Sequence, residues 1–107
     1  MKKSFLLIFA IITIAISAKS ATFSRTYKMC MDDVVLTLNP NGKAVFYFGW
    51  KNTTEHYTYN LRLDEYGKDH VYFYDSAGNI VYDGMYNYYN NYLYSMNING
   101  NYFTQCE

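Results

Sequence analysis

The chain has 107 residues, of which 50% are apolar, 21% aromatic and 17% charged, with nine basic and nine acidic side chains. This length suits one small domain and is too short for a nucleotide-binding α/β enzyme. Fourteen tyrosines and seven phenylalanines, against one proline and six glycines, exclude a collagen-like chain and a solvated disordered chain.

The start of the chain has the three regions of a secretory signal peptide. A basic start is followed by an apolar run over residues 5–16 and then by small residues. The apolar run is too short to span a bilayer, which takes about 20 residues. Cleavage after Ser20 fits the small-residue rule best, and cleavage after Ala18 is the alternative. We therefore expect residues 1–20 to be a leader, residues 21–107 to form a single domain, and the protein to be secreted or periplasmic.

Removal of this leader changes the charge of the chain. It takes away Lys2, Lys3 and Lys19, which leaves six basic and nine acidic residues and a net charge of −3. Because nucleic-acid binding depends on basic side chains that neutralise phosphates, we exclude a nucleic acid as a partner. The same charge weighs against docking on anionic membranes, and we do not expect an integral membrane protein.

Both cysteines, Cys30 and Cys106, lie in the expected mature chain. Since an exported chain meets an oxidising compartment, we predict one disulfide between them. The bond would close a loop of roughly 77 residues, which contributes about 4.5 kcal/mol in the chain-entropy model. That is a large share of the stability of so small a domain.

Apolar and polar residues alternate along the mature chain, which predicts β-strands, and no stretch after residue 21 has the 3.6-residue period of an amphipathic helix. The clearest alternation begins at His56 and ends at Asp64, with one apolar and one wet face. Strands are predicted at residues 27–38, 43–51, 56–64, 69–74, 79–83, 85–89, 92–98 and 101–106.

Turn residues separate these strands. Residues 39–42, Asn-Pro-Asn-Gly, are typical of a type I turn with a following bulge, and residues 75–79 have the same character. Asn-Asn at 90–91 and Asn-Gly at 99–100 suit two-residue type I′ turns. Because every connection is short enough for a hairpin, we predict an all-β fold, an antiparallel up-and-down meander.

Eight short strands are enough for such a meander to close into a small barrel. Cys30 falls in the first predicted strand and Cys106 in the last, and these strands meet only if the sheet curls round on itself. For Cys30 to face outward while Leu36 faces inward, the first strand needs a bulge at Asp32–Asp33. We therefore predict a closed or nearly closed barrel, with an open sandwich as the alternative.

Short strands make a short barrel, and the interior of such a barrel is more easily filled by side chains than left hollow. This favours a packed interior over a ligand cavity. The side chains expected inside are Phe46, Phe48, Trp50, Tyr59, Leu61 and Phe73.

Several stretches of the chain resemble small bacterial secreted lipocalin-like domains. They are residues 34–44, Trp50, the Asp-x-x-Gly-Asn turn at 75–79, and residues 98–104. The likeness covers residues 34–106 as a pattern of β-hairpins. It implies a small meander or barrel, and the functions of that family are mostly unassigned.

The residues that could carry chemistry form no catalytic pattern, so we expect no enzyme. His56 and His70 are the only histidines, and no cysteine or second histidine stands at a metal-ligand spacing from either. No serine of the mature chain lies in a nucleophile elbow, and the acidic residues of the turns lack the spacing of a calcium loop. We expect no catalytic residue, no cofactor and no metal. Asn52-Thr53-Thr54 is an N-glycosylation sequon, which matters only in a eukaryotic secretory pathway.

Tyrosines concentrate in the second half of the chain. Pairing across the turn at 90–91 sets Tyr86 opposite Ser95 and Tyr88 opposite Leu93, so tyrosines are predicted on both faces of the sheet. Outward rings with hydroxyl groups suit protein or glycan partners at low entropic cost. The predicted outward set, and the candidate binding residues, are Tyr72, Tyr74, Tyr86, Tyr88 and Tyr102.

Three functions follow from these features. The first is a secreted non-enzymatic binding or accessory protein whose outer tyrosine-rich face recognises an unknown protein or glycan. The second is a small barrel carrier of an apolar ligand. The third is a self-assembling surface or matrix component, since residues 86–94 are β-prone and uncharged. A plainer interpretation takes the many tyrosines and asparagines as a product of AT-rich codons.

Overall fold

The computed structural model describes residues 21–63 and 65–106, which fold as an eight-stranded antiparallel β-barrel. Each strand pairs with the next along the chain, and the last pairs with the first. The strands are β1 (Tyr27–Met31), β2 (Val34–Leu38), β3 (Lys43–Phe48), β4 (Thr53–Leu63), β5 (Asp69–Tyr74), β6 (Ile80–Tyr89), β7 (Tyr92–Ile98) and β8 (Asn101–Gln105). The predicted all-β meander and its closure are confirmed, and the sheet is not the alternative sandwich. The expected leader, residues 1–20, lies outside the described residues.

The segment predicted as one strand over residues 27–38 is two strands, β1 and β2. Met31 pairs with Val34, and the two residues between them form a tight turn. Asp32 has a φ of 50°, the left-handed conformation that a two-residue hairpin turn requires and that Asp tolerates better than most residues. The predicted bulge at Asp32–Asp33 is therefore wrong.

The segments predicted as separate strands over residues 79–83 and 85–89 are one strand, β6. Gly84 lies within it, where an added Cβ would stand 2.0 Å from the carbonyl oxygen of Asn97 on β7. The glycine therefore allows the backbones of β6 and β7 to approach closely, and it does not end a strand. The division of β1–β2 and the fusion in β6 offset each other, which is why the predicted number of strands is right.

The hairpin of β6 and β7 contains a bulge that the predicted pairing lacks. Tyr88 pairs with Leu93 as predicted, but the register then shifts so that Asn87 pairs with Ser95 and Tyr86 pairs with Met96. The predicted pairing of Tyr86 with Ser95 is wrong because β7 has one extra residue at this point.

The barrel interior is packed with apolar side chains. Trp50 was expected among them but is 68% exposed in the turn between β3 and β4. Of the other five predicted interior residues, Phe46, Tyr59 and Phe73 are buried, and Phe48 and Leu61 are partly buried against them. The buried core consists of Phe23, Tyr27, Met29, Val34, Leu36, Leu38, Ala44, Phe46, Tyr59, Val71, Phe73, Leu93, Met96, Ile98 and Phe103.

The segment before β1 closes one end of the barrel, which we call the plugged end. Ala21 forms an antiparallel bridge with Leu61, and the Phe23 side chain, 3% exposed, enters the interior. Its ring contacts four tyrosine rings at centroid distances of 5.4 to 6.0 Å, those of Tyr27, Tyr59, Tyr86 and Tyr88.

Hydrogen bonds hold this plug in place. The backbone N–H of Phe23 donates to the Tyr59 hydroxyl (3.2 Å), and that hydroxyl donates to the carbonyl oxygen of Asn39 (2.8 Å). The Tyr27 hydroxyl donates to the carbonyl oxygen of Asn91 (3.1 Å). Burial raises the pKa of Tyr59 and of Tyr27 above the ordinary tyrosine value, so both hydroxyls remain donors.

The seam between β1 and β8 is the shortest ladder of the barrel. It has two register pairs, Met29 with Gln105 and Cys30 with Thr104, whereas the other neighbouring strands share four to six. The predicted disulfide between Cys30 and Cys106 is confirmed and joins β1 to the residue that follows β8, with the Cα atoms 5.5 Å apart.

Candidate binding surface

One continuous row of side chains crosses the outer face of five neighbouring strands, from β4 to β8. The register aligns Arg62 with His70, His70 with Met85, Met85 with Asn97, and Asn97 with Tyr102. Because directly paired residues share one face of a sheet, these five side chains form a lateral row, which we call the outer row.

A groove of about 440 Å³ lies between the β4–β5 loop and the outer face of β6 to β8. It is lined by Lys68 from the loop, by Asp69 at the start of β5, and by Met85, Asn97 and Tyr102 of the outer row. This volume falls within the roughly 300–1,000 Å³ of ordinary ligand pockets. We call it the outer groove.

The outer groove combines flat apolar groups with amides. Tyr102 is 59% exposed and Met85 is 41% exposed, so both present surface to a ligand. Asn87 and Asn97 add amide groups that donate and accept, and the Asn87 amide nitrogen donates to Ser95 Oγ (3.0 Å). This hydrogen bond fixes the orientation of one amide before any ligand arrives.

Tyr86 reaches the outer groove from the inner side of the barrel wall. Burial, and then the negative charge of Asp69, raises the pKa of Tyr86 to about 12. Its hydroxyl therefore stays neutral at physiological pH, next to an exposed carboxylate. The groove offers hydrogen-bond donors and acceptors together in one place.

Two of the predicted binding tyrosines face outward on β5 but make contacts within the protein. The Arg62 guanidinium carbon lies 4.5 Å from the centroid of the Tyr72 ring, and the His70 ring stacks on that ring at 4.8 Å. The Tyr74 hydroxyl donates to Asn60 Oδ1 (3.3 Å). Both tyrosines are partly buried and lie outside the lining of the outer groove.

The predicted outward orientation of Tyr86 and Tyr88 is wrong. Both are partly buried and pack against the core, and their rings contact Phe23 at the plugged end. Tyr102 is the one of the five that is strongly exposed. The structure thus brings Tyr102 and Tyr86 to one groove and does not bring the other three predicted tyrosines there.

Other residues of the outer groove were not predicted from the sequence. Met85, Asn97 and Asp69 become neighbours of Tyr102 only through the pairing of four strands. Side chains alternate between the two faces along a strand. This alternation predicts that Met85 and Asn97 face outward once the bulge in β7 is known.

Asn52 of the glycosylation sequon is exposed in the β3–β4 turn, and its Oδ1 accepts a hydrogen bond from the Tyr47 hydroxyl (2.9 Å). Its modification stays a prediction. Across residues 21–63 and 65–106, no three His, Cys, Asp or Glu side chains are grouped as metal ligands are.

Comparisons with protein families, with curated proteins and with solved structures found no match to this chain. The resemblance to lipocalin-like domains therefore stays a prediction. In the described part of the chain, no helix has the length and apolar character needed to span a membrane.

Proposed function

We propose that this protein is a secreted, non-enzymatic binding protein and that its outer groove recognises a glycan. The observation that carries the proposal is the groove itself, in which the exposed Tyr102 ring, the Asn97 amide and the Asp69 carboxylate line one concave volume of about 440 Å³. The disulfide between Cys30 and Cys106 supports the secreted or periplasmic location, because such bonds persist in oxidising compartments.

Glycans fit this chemistry better than an apolar ligand does. A sugar ring presents C–H groups on its faces and hydroxyls at its edge, so it needs a flat ring beside several hydrogen-bonding groups. Tyr102 supplies the ring, Asn97 donates and accepts, and Asp69 accepts. The groove holds a few sugar units, since its volume is that of an ordinary ligand pocket.

The two other functions have weaker support. A carrier of an apolar ligand needs a large internal cavity, and fully buried side chains such as Phe73, Leu36 and Leu93 fill most of the interior here. Self-assembly through residues 86–94 needs unpaired strands, and those residues form the paired hairpin of β6 and β7.

A glycan array followed by calorimetric titration of the best ligand tests the proposal. We expect Tyr102→Ala to weaken that ligand by about tenfold or more, because it removes the exposed ring. Tyr94→Ala is the matched control, since Tyr94 is 49% exposed on the same strand pair and does not line the groove.

The melting temperature of both variants should stay close to that of the unmodified protein, because neither ring belongs to the buried core. The proposal fails if no glycan binds, or if the Tyr94 variant loses as much affinity as the Tyr102 variant.

A further inference from the structure

The end of the barrel opposite the plug, which we call the open end, contains a small aromatic pocket. Its volume is about 160 Å³. Phe46, Phe48, Tyr82 and Phe103 line it with rings, and Met31 adds a polarisable thioether. The volume is about half the lower limit of roughly 300 Å³ for ordinary ligand pockets, so the pocket takes one ring or one short alkyl group.

A carboxylate lies beside this pocket, hydrogen-bonded to one of the residues that line it. Glu55 pairs with Phe46 across β3 and β4, so both side chains point to the interior face. Its Oε1 accepts hydrogen bonds from the hydroxyls of Tyr57 (2.7 Å) and Tyr82 (3.3 Å). Tyr82 lines the pocket and its hydroxyl reaches the carboxylate, so this one side chain connects the pocket to the charge.

The hydroxyls of Tyr57 and Tyr82 stay protonated and donate hydrogen bonds to this carboxylate. Burial, and then the hydrogen bond to Glu55, raises the pKa of Tyr57 well above the ordinary tyrosine value. Burial, and then the charge of Glu55, also raises the pKa of Tyr82. The hydroxyls therefore hold the Glu55 side chain in one orientation at physiological pH, ready for a cationic group.

The open end already holds one ammonium group of the chain itself. Lys51 Nζ lies 4.9 Å from the centroid of the Phe48 ring and 4.9 Å from the centroid of the Trp50 ring. Attraction between a cation and ring faces is strongest for Trp among the aromatic residues. Phe48 also lines the pocket, so one of the pocket's rings already lies beside an ammonium group.

We propose that the open end is a second binding site, which takes a small organic ammonium ion with a compact apolar tail. The tail occupies the aromatic pocket, and the ammonium group pairs with Glu55, which lies beside the pocket next to Tyr82. An arylalkylamine with one ring has the required size and charge. This site is separate from the outer groove and does not depend on glycan binding.

The test compares two probes of nearly equal shape, phenethylamine and 2-phenylethanol, by NMR titration of the folded, oxidised protein at pH 7. We expect the charged amine to bind about tenfold more tightly than the neutral alcohol, with the largest shifts at Phe46, Phe48 and Phe103. Glu55→Gln should abolish this preference. Glu65→Gln, which makes the same chemical change in an exposed loop, should retain it.

Lys51→Met provides an independent variant that leaves the carboxylate in place. Because it removes a like charge from the rim, we expect it to strengthen amine binding several-fold and to leave alcohol binding nearly unchanged. Equal affinities of amine and alcohol in the unmodified protein would overturn the proposal. So would shifts centred on the outer groove, or no binding up to about 10 mM amine.

Discussion

The two ends of this barrel are lined by similar aromatic side chains but are completed in different ways. At the plugged end, Phe23 from the chain's own N-terminal segment fills the space between tyrosine rings and leaves it buried. At the open end, Phe46 and Phe48 border an unfilled pocket beside the carboxylate of Glu55.

This difference indicates that the plugged end serves the stability of the fold and that the open end is suited to binding. Apolar rings stabilise a fold when their surface is removed from water, which Phe23 achieves at the plugged end. A pocket that remains accessible to water gives up part of that stabilisation. There the partly buried hydroxyls of Tyr57 and Tyr82 donate to a charged carboxylate and not to a neutral backbone carbonyl. The plugged end therefore resembles a core, and the open end resembles a binding site.

The largest expected effect comes from truncating the plug. Phe23→Ala should lower the free energy of unfolding by about 3–5 kcal/mol, because it leaves a cavity among four tyrosine rings. Phe48→Ala at the open end should cost about 1–2 kcal/mol, since that ring is only partly buried. Urea denaturation of both variants measures the contrast, and equal losses would contradict the division between the ends.

A smaller effect is expected from removing single hydroxyls. Tyr59→Phe should destabilise the protein by about 1–3 kcal/mol, because it leaves the buried Phe23 N–H without its acceptor, whereas the Asn39 carbonyl still accepts from the Gly42 N–H. Tyr57→Phe should cost less than about 1 kcal/mol, since water can replace its hydroxyl at the partly exposed Glu55. Thermal unfolding followed by circular dichroism gives both values. A larger loss for the Tyr57 variant would reverse the assignment of the two ends.

The smallest expected effect is that of pH on the free energy of unfolding, which should hardly change near pH 7. The folded-state pKa of Tyr86 is about 12, above that of an unfolded tyrosine near 10, so its contribution to stability is complete below about pH 9. Stability should then fall as the pH rises from about 10 towards 12. Urea denaturation across this range, with tyrosinate absorbance as a second signal, measures the fall.

The Phe23→Ala variant sharpens the same experiment. Loss of the plug admits water to Tyr59 and Tyr86 and should bring their pKa values back towards 10, whereas Tyr57 and Tyr82 at the open end should keep theirs. The alkaline loss of stability should therefore be shallower in the variant. An unchanged slope would mean that the plug does not control the titration of these groups.

The architecture was predictable because hairpin turns are encoded locally. The Asn-Gly turn at 99–100 fixes the pairing of Met96 with Phe103, and the predicted disulfide required the first and last strands to meet. The errors in strand boundaries lie where the residue type does not match its usual role in a turn. Asp32 forms a tight turn without a glycine, and Gly84 provides close strand contact without a turn.

The site was less predictable because it depends on which face of the sheet each residue occupies and on contacts between residues far apart in sequence. One extra residue at Tyr94 changes the partners of Tyr86, so a register counted from the turn fails beyond the bulge. Phe23 lies in a segment without any alternating pattern, and nothing local marks it as the side chain that covers Tyr86 and Tyr88. The exposure of Trp50 depends on where β3 ends, and that boundary was placed three residues too late.

The short seam between β1 and β8 also determines how the chain must fold. Every other ladder joins strands that follow each other in sequence, and such hairpins form within roughly 1–10 μs. The seam instead brings together Cys30 and Cys106, which are 76 positions apart, so it requires the first and the last strand of the chain. Without this seam, β1 and β8 would be bare strand edges, which can pair with other chains. The bond between Cys30 and Cys106 therefore protects the protein against edge-to-edge aggregation, because it holds these two edges together.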